Sequence, residues 1–264
     1  MPAPPPTLSP GEAALQRGYN ALHSARTGTD LVARLYALAM GDAYPAEIAP
    51  TSSCDWPLVA TMVNRLRLQP GQHLVDLACG TGGAGLWLAR AMTARLTGID
   101  ISDTAITLAT ARREAFVAPD RARFTVATLE ATGLPDAHAH AVICIDAFSR
   151  ATDRSGALAE LHRVLHPGGR AVLTRALRRE AEPDWTDQVQ RAGLVVDHIE
   201  ERRHEPRMWA RLYRLWQDHE DEIRRALGDA QAENMLAEAA RTLPTLDGRR
   251  AVAITLRRPP TRSR

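Results

Sequence analysis

The sequence predicts an α/β fold: a mostly parallel seven-stranded sheet with helices on both faces, an N-terminal helical cap, and a helical insertion between strands six and seven. Three observations predict it. Short apolar runs alternate with segments of helical period, as buried parallel strands and their crossover helices do. A glycine cluster, Gly80 to Gly85, follows the first run directly. An acid, Asp100, closes the second run twenty residues after Gly80.

Taken in order, the Pro-rich residues 1–11 read as a disordered tail. Residues 12–68 read as the helical cap. There, Asp30 is placed to cap a helix whose apolar face is Leu31, Leu35, Leu38 and Ala39, and Gly41, Pro45 and Pro50 break it. A second helix runs from about Asp55 to Leu68 and ends at Pro70-Gly71. The core, 69–200, opens with strand one (His73 to Ala78) and a helix from Ala84 to Met92. Strand two (Arg95 to Ile99), a helix (Thr104 to Phe116) and strand three (Arg123 to Thr128) follow. Strand four, Ala141 to Ile145, is almost wholly apolar. A helix (Ser155 to Leu165), a turn (His166-Pro-Gly-Gly169) and strand five (Arg170 to Ala176) come next. The core closes with a helix, Trp185 to Ala192, and strand six, Leu194 to Ile199. A long helical stretch, Pro206 to Thr242, fills the insertion 201–247. Ala251 to Leu256 is the last strand, within 248–264. Right-handed crossovers put the C-terminal ends of strands one and four at the switch point, where open sheets bind ligands.

Composition removes several chemistries. Among 264 residues the 33 basic ones are all Arg, with no Lys. That excludes Schiff-base catalysis, a P-loop, a standard protein kinase and a Tyr-x-x-x-Lys dehydrogenase. A net charge of +2 gives no argument for a nucleic-acid partner. Cys54, Cys79 and Cys144 have no CxxC spacing, so they read as free thiols in a reducing compartment. No apolar run reaches the roughly 18 residues of a membrane helix. The opening Met1-Pro-Ala-Pro-Pro-Pro lacks the parts of a signal peptide. A cytoplasmic protein is expected, with no membrane partner.

The chemistry sits in the loop after strand one. Glycines there let a ligand approach the backbone, and the Asp100 carboxylate is placed to accept bonds from ribose hydroxyls. Gly80-x-Gly82-x-x-Gly85 alone also occurs in dinucleotide-binding proteins. The segments DLACGTGG, GIDIS, LPDAHAHAVICIDAF and LAELHRVLHPGGRAVL carry more. In this order and spacing, over about Leu68 to Leu173, the chain resembles the class I S-adenosylmethionine-dependent methyltransferases. Asp76, four residues before Gly80, and the HRVLHPGG turn separate it from dehydrogenases.

The resemblance implies a Rossmann-like methyltransferase fold, S-adenosylmethionine as cofactor and no metal. Asp76, Ala78, Gly80, Thr81 and Gly82 would line the methionine part. Asp100 would hold the ribose, Ile101 would pack on adenine, and Thr128 and Leu129 would meet the adenine edge. Asp146 would lie near the sulfonium, facing cofactor and acceptor. Thr128 stands where the family often has Asp, and His140-Ala141 where it often has Phe-Asp.

For the acceptor, the candidates are Tyr36, Trp56, Phe148, Trp209 and Tyr213. Trp209, Leu212, Tyr213 and Trp216 recur at i, i+3, i+4 and i+7, the pattern of a packed amphipathic helix or of an apolar lid. Asp146, His204 and Tyr36 are candidate bases, although a loop histidine such as His204 also reads as solvated. Arg202, Arg203, Arg207, Arg211 and Arg214 read as a solvated face, or as a site for an anionic acceptor.

The expected function is in-line transfer of a methyl group to a small-molecule N, O, S or C acceptor, plausibly in specialised metabolism. The alternatives are a methyltransferase of nucleic acid or protein, and a methyltransferase-fold cyclase or binder. Against a nucleic-acid substrate, Asp146-Ala-Phe-Ser149 replaces the Asn/Asp-Pro-Pro-aromatic segment of amino-methylating DNA enzymes.

Overall fold

The computed structural model describes residues 8–178 and 183–261. Ser9 opens the folded chain with a capping box: its hydroxyl accepts from the Glu12 N–H, and the Glu12 carboxylate accepts the Ser9 N–H at 2.8 Å. With Pro10 at the first helical position, helix α1 spans Pro10–Arg26. Residues 8–11 therefore begin the fold rather than belonging to a disordered tail, because the capping box outweighs the proline content. Residues 1–7 of the expected tail, and 262–264, lie outside the described residues.

Helix α2 spans Leu31–Met40. Asp30 precedes it without capping it; the Thr29 hydroxyl accepts the Leu31 N–H at 3.2 Å instead. Helix α3 (Trp56–Leu66) is capped by Asp55, whose carboxylate accepts the Leu58 N–H at 2.8 Å. Then come β1 (His73–Leu77), α4 (Gly83–Ala91), β2 (Arg95–Asp100), α5 (Asp103–Arg112), β3 (Ala122–Val126) and β4 (Ala139–Cys144). The second half has α6 (Arg154–Val164), β5 (Leu165–Arg178), α7 (Pro183–Arg191) and β6 (Val195–Glu201). The insertion is three helices, α8 (Glu205–Asp218), α9 (Glu220–Leu227) and α10 (Asp229–Thr242), before β7 (Arg249–Arg257). The single long stretch breaks near His219 and again at Gly228, whose φ of +83° suits glycine.

The sheet order is β3-β2-β1-β4-β5-β7-β6, with β7 antiparallel to both of its neighbours. The switch point falls between β1 and β4. His166 to Gly169, expected as a turn, belongs to β5. The backbone of Arg258, just past β7, bonds both glycines and draws the segment into the sheet.

Three apolar cores hold the molecule. In β1, Val75 and Leu77 face the core shared with α6 and α7, while Leu74 faces the core shared with α3 and α4. The third core is the roof. Leu212, Tyr213 and Trp216 of α8 pack with Leu31, Leu35 and Tyr36 of α2, and α9 and α10 close around them. No described helix is long and apolar enough to cross a membrane.

Candidate cofactor and acceptor site

A cavity of about 310 Å³ opens above the C-terminal ends of β1, β2 and β4, beneath α1, α2, α8 and α10. That volume is within the range of small-ligand sites. Its floor is the loop after β1. Ala78, Gly80 and Gly82 all have positive φ, at 56°, 52° and 76°. Gly80 donates its N–H to Asp100 Oδ2 at 2.8 Å, and Ser102 donates to Oδ1 at 2.8 Å. These bonds fix the Asp100 carboxylate at the rim. Burial pushes its pKa up, against the lowering by the Ser102, Gly80 and Ile101 N–H groups.

The three motif glycines serve different needs. A Cβ on Gly80 would meet only His23, at 3.9 Å, so this position is open to a ligand. A Cβ on Gly82 would press on the Phe124 ring at 3.0 Å; Gly82 turns the chain but does not line the cavity. A Cβ on Gly85 would stand 2.7 Å from Asp76 Oδ2, the atom that accepts the Gly85 N–H at 3.1 Å. Asp76 lines the cavity, and burial pushes its carboxyl up to about 8.

Around this floor the structure gathers Ala78, Thr81, Ile101, Thr128 and Leu129 along the cavity wall. The Thr81 hydroxyl accepts from Arg112, which also reaches the carbonyls of Glu47 and Ile48 and ties that loop to the motif. The Thr128 hydroxyl accepts the Ala131 N–H at 3.1 Å. Asp146 faces the cavity from the end of β4 with φ of +56°. Its carboxylate accepts from Ser53 N at 2.6 Å, Ser53 Oγ at 2.8 Å and Thr174 Oγ1 at 2.8 Å. Ser53 is held in turn by buried Arg202, which donates to its hydroxyl at 2.7 Å and to its carbonyl, and pairs with Asp55 at 3.3 Å.

Of the acceptor candidates, Tyr36 and Trp209 line the cavity, edge to face at 6.1 Å. Three others lie elsewhere. Trp56, 37% exposed at the start of α3, meets Trp87 edge-on outside the cavity. Phe148 turns into the sheet core against Trp185, because the short turn after β4 aims it inward. Tyr213 sits behind the wall and donates its hydroxyl to Glu238 at 3.1 Å. His204, a candidate base, is also outside: it is half exposed, with Nε2 2.6 Å from Asp55 Oδ2. Burial pushes the Tyr36 hydroxyl far above the ordinary phenol range, which works against its acting as a base. In the arginine stretch only Arg202 is buried; Arg203, Arg207, Arg211 and Arg214 are exposed on the solvent side.

Sequence reasoning missed the roof contributed by α1. Tyr19, His23 and Arg26 line the cavity from it. Gln16 donates to the Ile101 carbonyl at 2.9 Å and Asn20 accepts from Ser102, so α1 clamps the rim. Burial, helped by Arg26, pushes His23 down to about 4, which leaves a neutral imidazole above Gly80. The available signal was Ser9-Pro-Gly-Glu12, a legible helix start. Glu238 of α10, also in the lining, had no sequence signal. Among the described residues no group of three His, Cys, Asp or Glu side chains is arranged to hold a metal ion.

Comparison with known proteins bears on the fold and the domain. A family described as a methyltransferase domain matches residues 74–169. An O-methyltransferase of Pyrenophora dematioidea is 32% identical over 147 residues, 53% of this chain and 55% of that protein. A 27-O-demethylrifamycin SV methyltransferase of Amycolatopsis mediterranei is 28% identical, over 60% of this chain and 56% of its own length. The chain thus spans about half the length of these curated relatives. Among solved structures, the cyclase SpnF superposes with a TM-score of 0.73 at 20% identity, covering 98% of this chain and 100% of that one, a likeness of fold. By motif, sheet order and relatives, this chain carries a methyltransferase domain over residues 74–169 and is similar to the class I S-adenosylmethionine-dependent methyltransferases.

Proposed function

We propose that the protein transfers a methyl group from S-adenosylmethionine to a small molecule, with a hydroxyl oxygen as acceptor atom. One observation carries the reading. A single cavity joins the rim made by Gly80 and Asp100 to an end walled by Tyr36, Trp209 and Trp216. The residues suit the cofactor. The open face of Gly80 leaves room for close approach, and the fixed Asp100 carboxylate matches a vicinal diol. Ile101 and Leu129 offer apolar faces for a purine, and the Thr128 hydroxyl keeps its hydrogen free to donate to the ring edge. Asp76 and the backbone of Ala78 to Gly80 would hold the amino-acid end. The relatives named as O-methyltransferases favour oxygen.

When bound, S-adenosylmethionine supplies a methyl group already activated on a cationic sulfur. The chain's own work is alignment and exclusion of water, which can supply several kcal/mol of such a barrier. Asp146, saturated by Ser53 and Thr174, is a fixed wall rather than a free base. Tyr36 holds its proton and so acts as a donor. The α2–α8 roof closes the acceptor end. The test is incubation with methyl-labelled S-adenosylmethionine and a panel of phenols, enols and macrolactone alcohols. A labelled methyl ether should form, and less of it with Asp100→Ala at the same cofactor concentration. Label found only on nucleic acid or protein, or no transfer to any member of the panel, would overturn the reading.

A further inference from the structure

Several internal arginines in this chain are met by oxygen, whereas Arg175 lies over the Trp185 ring, outside the cavity. Arg202 has Ser53 and Asp55. Arg121 has the Ala89 and Ala94 carbonyls. Arg258 reaches three carbonyls beside β5, and Arg112 has Thr81 and Ile48. Arg26 departs from this pattern. It lies in the last turn of α1 and lines the cavity, yet makes no ion pair or hydrogen bond with a described residue. Its surroundings strip water from it, and the groups whose charge it senses are Tyr36 and Glu238. Glu238 forms no ion pair with it and already accepts the Tyr213 hydroxyl.

Two more donors at the same end lack partners. Trp216 lines the cavity, and its buried indole N–H has no acceptor. The Tyr36 hydroxyl makes no hydrogen bond with a described residue. A desolvated guanidinium left unpaired is costly, and so is an unmet indole N–H. Three donors at one end of a cavity are met together by oxygen bearing negative charge. A guanidinium does this best, through charge-assisted and often bidentate bonds.

Resting on the methyl-transfer reading, we propose that the acceptor carries an anionic oxygen group, a carboxylate or a phosphate, bound by Arg26 with Tyr36 and Trp216. The group anchors the acceptor in the roof, away from the Asp76–Asp100 end. A neutral acceptor of the same shape would leave the guanidinium unpaired once the roof excludes water, so selection against it is built in.

The test uses the full chain loaded with S-adenosylhomocysteine, titrated by calorimetry with 4-hydroxybenzoate, 4-hydroxyphenyl phosphate and neutral 4-hydroxybenzamide. At least one anion should bind about ten-fold or more tightly than the amide, and which one does so identifies the group. Arg26→Gln should erase that preference while leaving S-adenosylhomocysteine affinity unchanged. The proposal falls if neither anion outbinds the amide, or if Arg26→Gln keeps the preference. It falls also if Arg26→Gln weakens S-adenosylhomocysteine itself, since Arg26 would then serve the cofactor carboxylate. Failure of the unsubstituted chain to bind S-adenosylhomocysteine would instead overturn the cofactor reading.

Discussion

At Gly83 an added Cβ would collide with the carbonyl oxygen of Ile48, which also accepts from Arg112. This one glycine therefore sets how closely the 45–50 loop approaches the start of α4. Gly83→Ala should destabilise by about 1–3 kcal/mol, as overpacking does, read from the urea midpoint at unchanged slope. A midpoint equal to that of the parent chain would mean the loop yields freely. The sequence exposed the neighbouring positions Gly80 and Gly85 through their spacing. It did not expose Gly83, whose constraint comes from a carbonyl thirty-five residues away in the chain. The same divide runs through the site. Asp76, Gly80 and Asp100 follow one another on adjacent strand ends, so local order revealed them. Arg26 and Glu238 meet the cavity only after two roofing helices fold back over it. Trp56 and Phe148 had the right chemistry and the wrong direction, which residue type alone does not encode.

Between elements, the loop before α3 and the junction of β6 with α8 are joined by one buried network. Asp146 is held by Ser53, Ser53 by Arg202, Arg202 by Asp55, and Asp55 reaches surface His204. Arg202→Ala should cost about 3–5 kcal/mol in chemical denaturation, because it strands buried Asp55 and the Ser53 carbonyl. A change below the scatter of surface substitutions would show that Asp146 is held by Thr174 alone. The elements of the core were legible because buried parallel strands are short apolar runs and their helices carry the 3.6 period. Most boundaries moved by a few residues, and the start of β5 moved further because Arg258 draws Gly168 and Gly169 into the sheet. The Trp209–Trp216 stripe allowed two readings, a packed face or an apolar lid. Leu212 and Tyr213 pack the roof, while Trp209 and Trp216 also face the cavity.

Across the whole molecule, the two ends of the sheet gather different groups. The cavity lies at one end; a ladder of histidines lies at the other. His73 and His138 are 4.7 Å apart, and His140 stacks on His166 at 5.2 Å. Burial, then the neighbouring histidines and Arg123, pushes His138 below the ordinary histidine range; burial, His166 and His73 do the same to His140. A depressed imidazole pKa in the folded chain means the unfolded chain takes up protons first. The stabilisation is therefore complete above about pH 6.5 and is lost as pH falls below it. A His138→Gln, His140→Gln chain should lose less stability than its parent between pH 7 and pH 5, measured by urea unfolding at each pH. Parallel curves would show that the ladder is solvated. The central claim, that the cavity is an S-adenosylmethionine site, is tested most directly by calorimetric titration of the full chain with S-adenosylhomocysteine and with NAD. One equivalent of S-adenosylhomocysteine should bind, weakened by about 1–3 kcal/mol in Asp100→Ala through unpaired ribose hydroxyls, with no heat from NAD. Binding of NAD with none of S-adenosylhomocysteine would contradict the account.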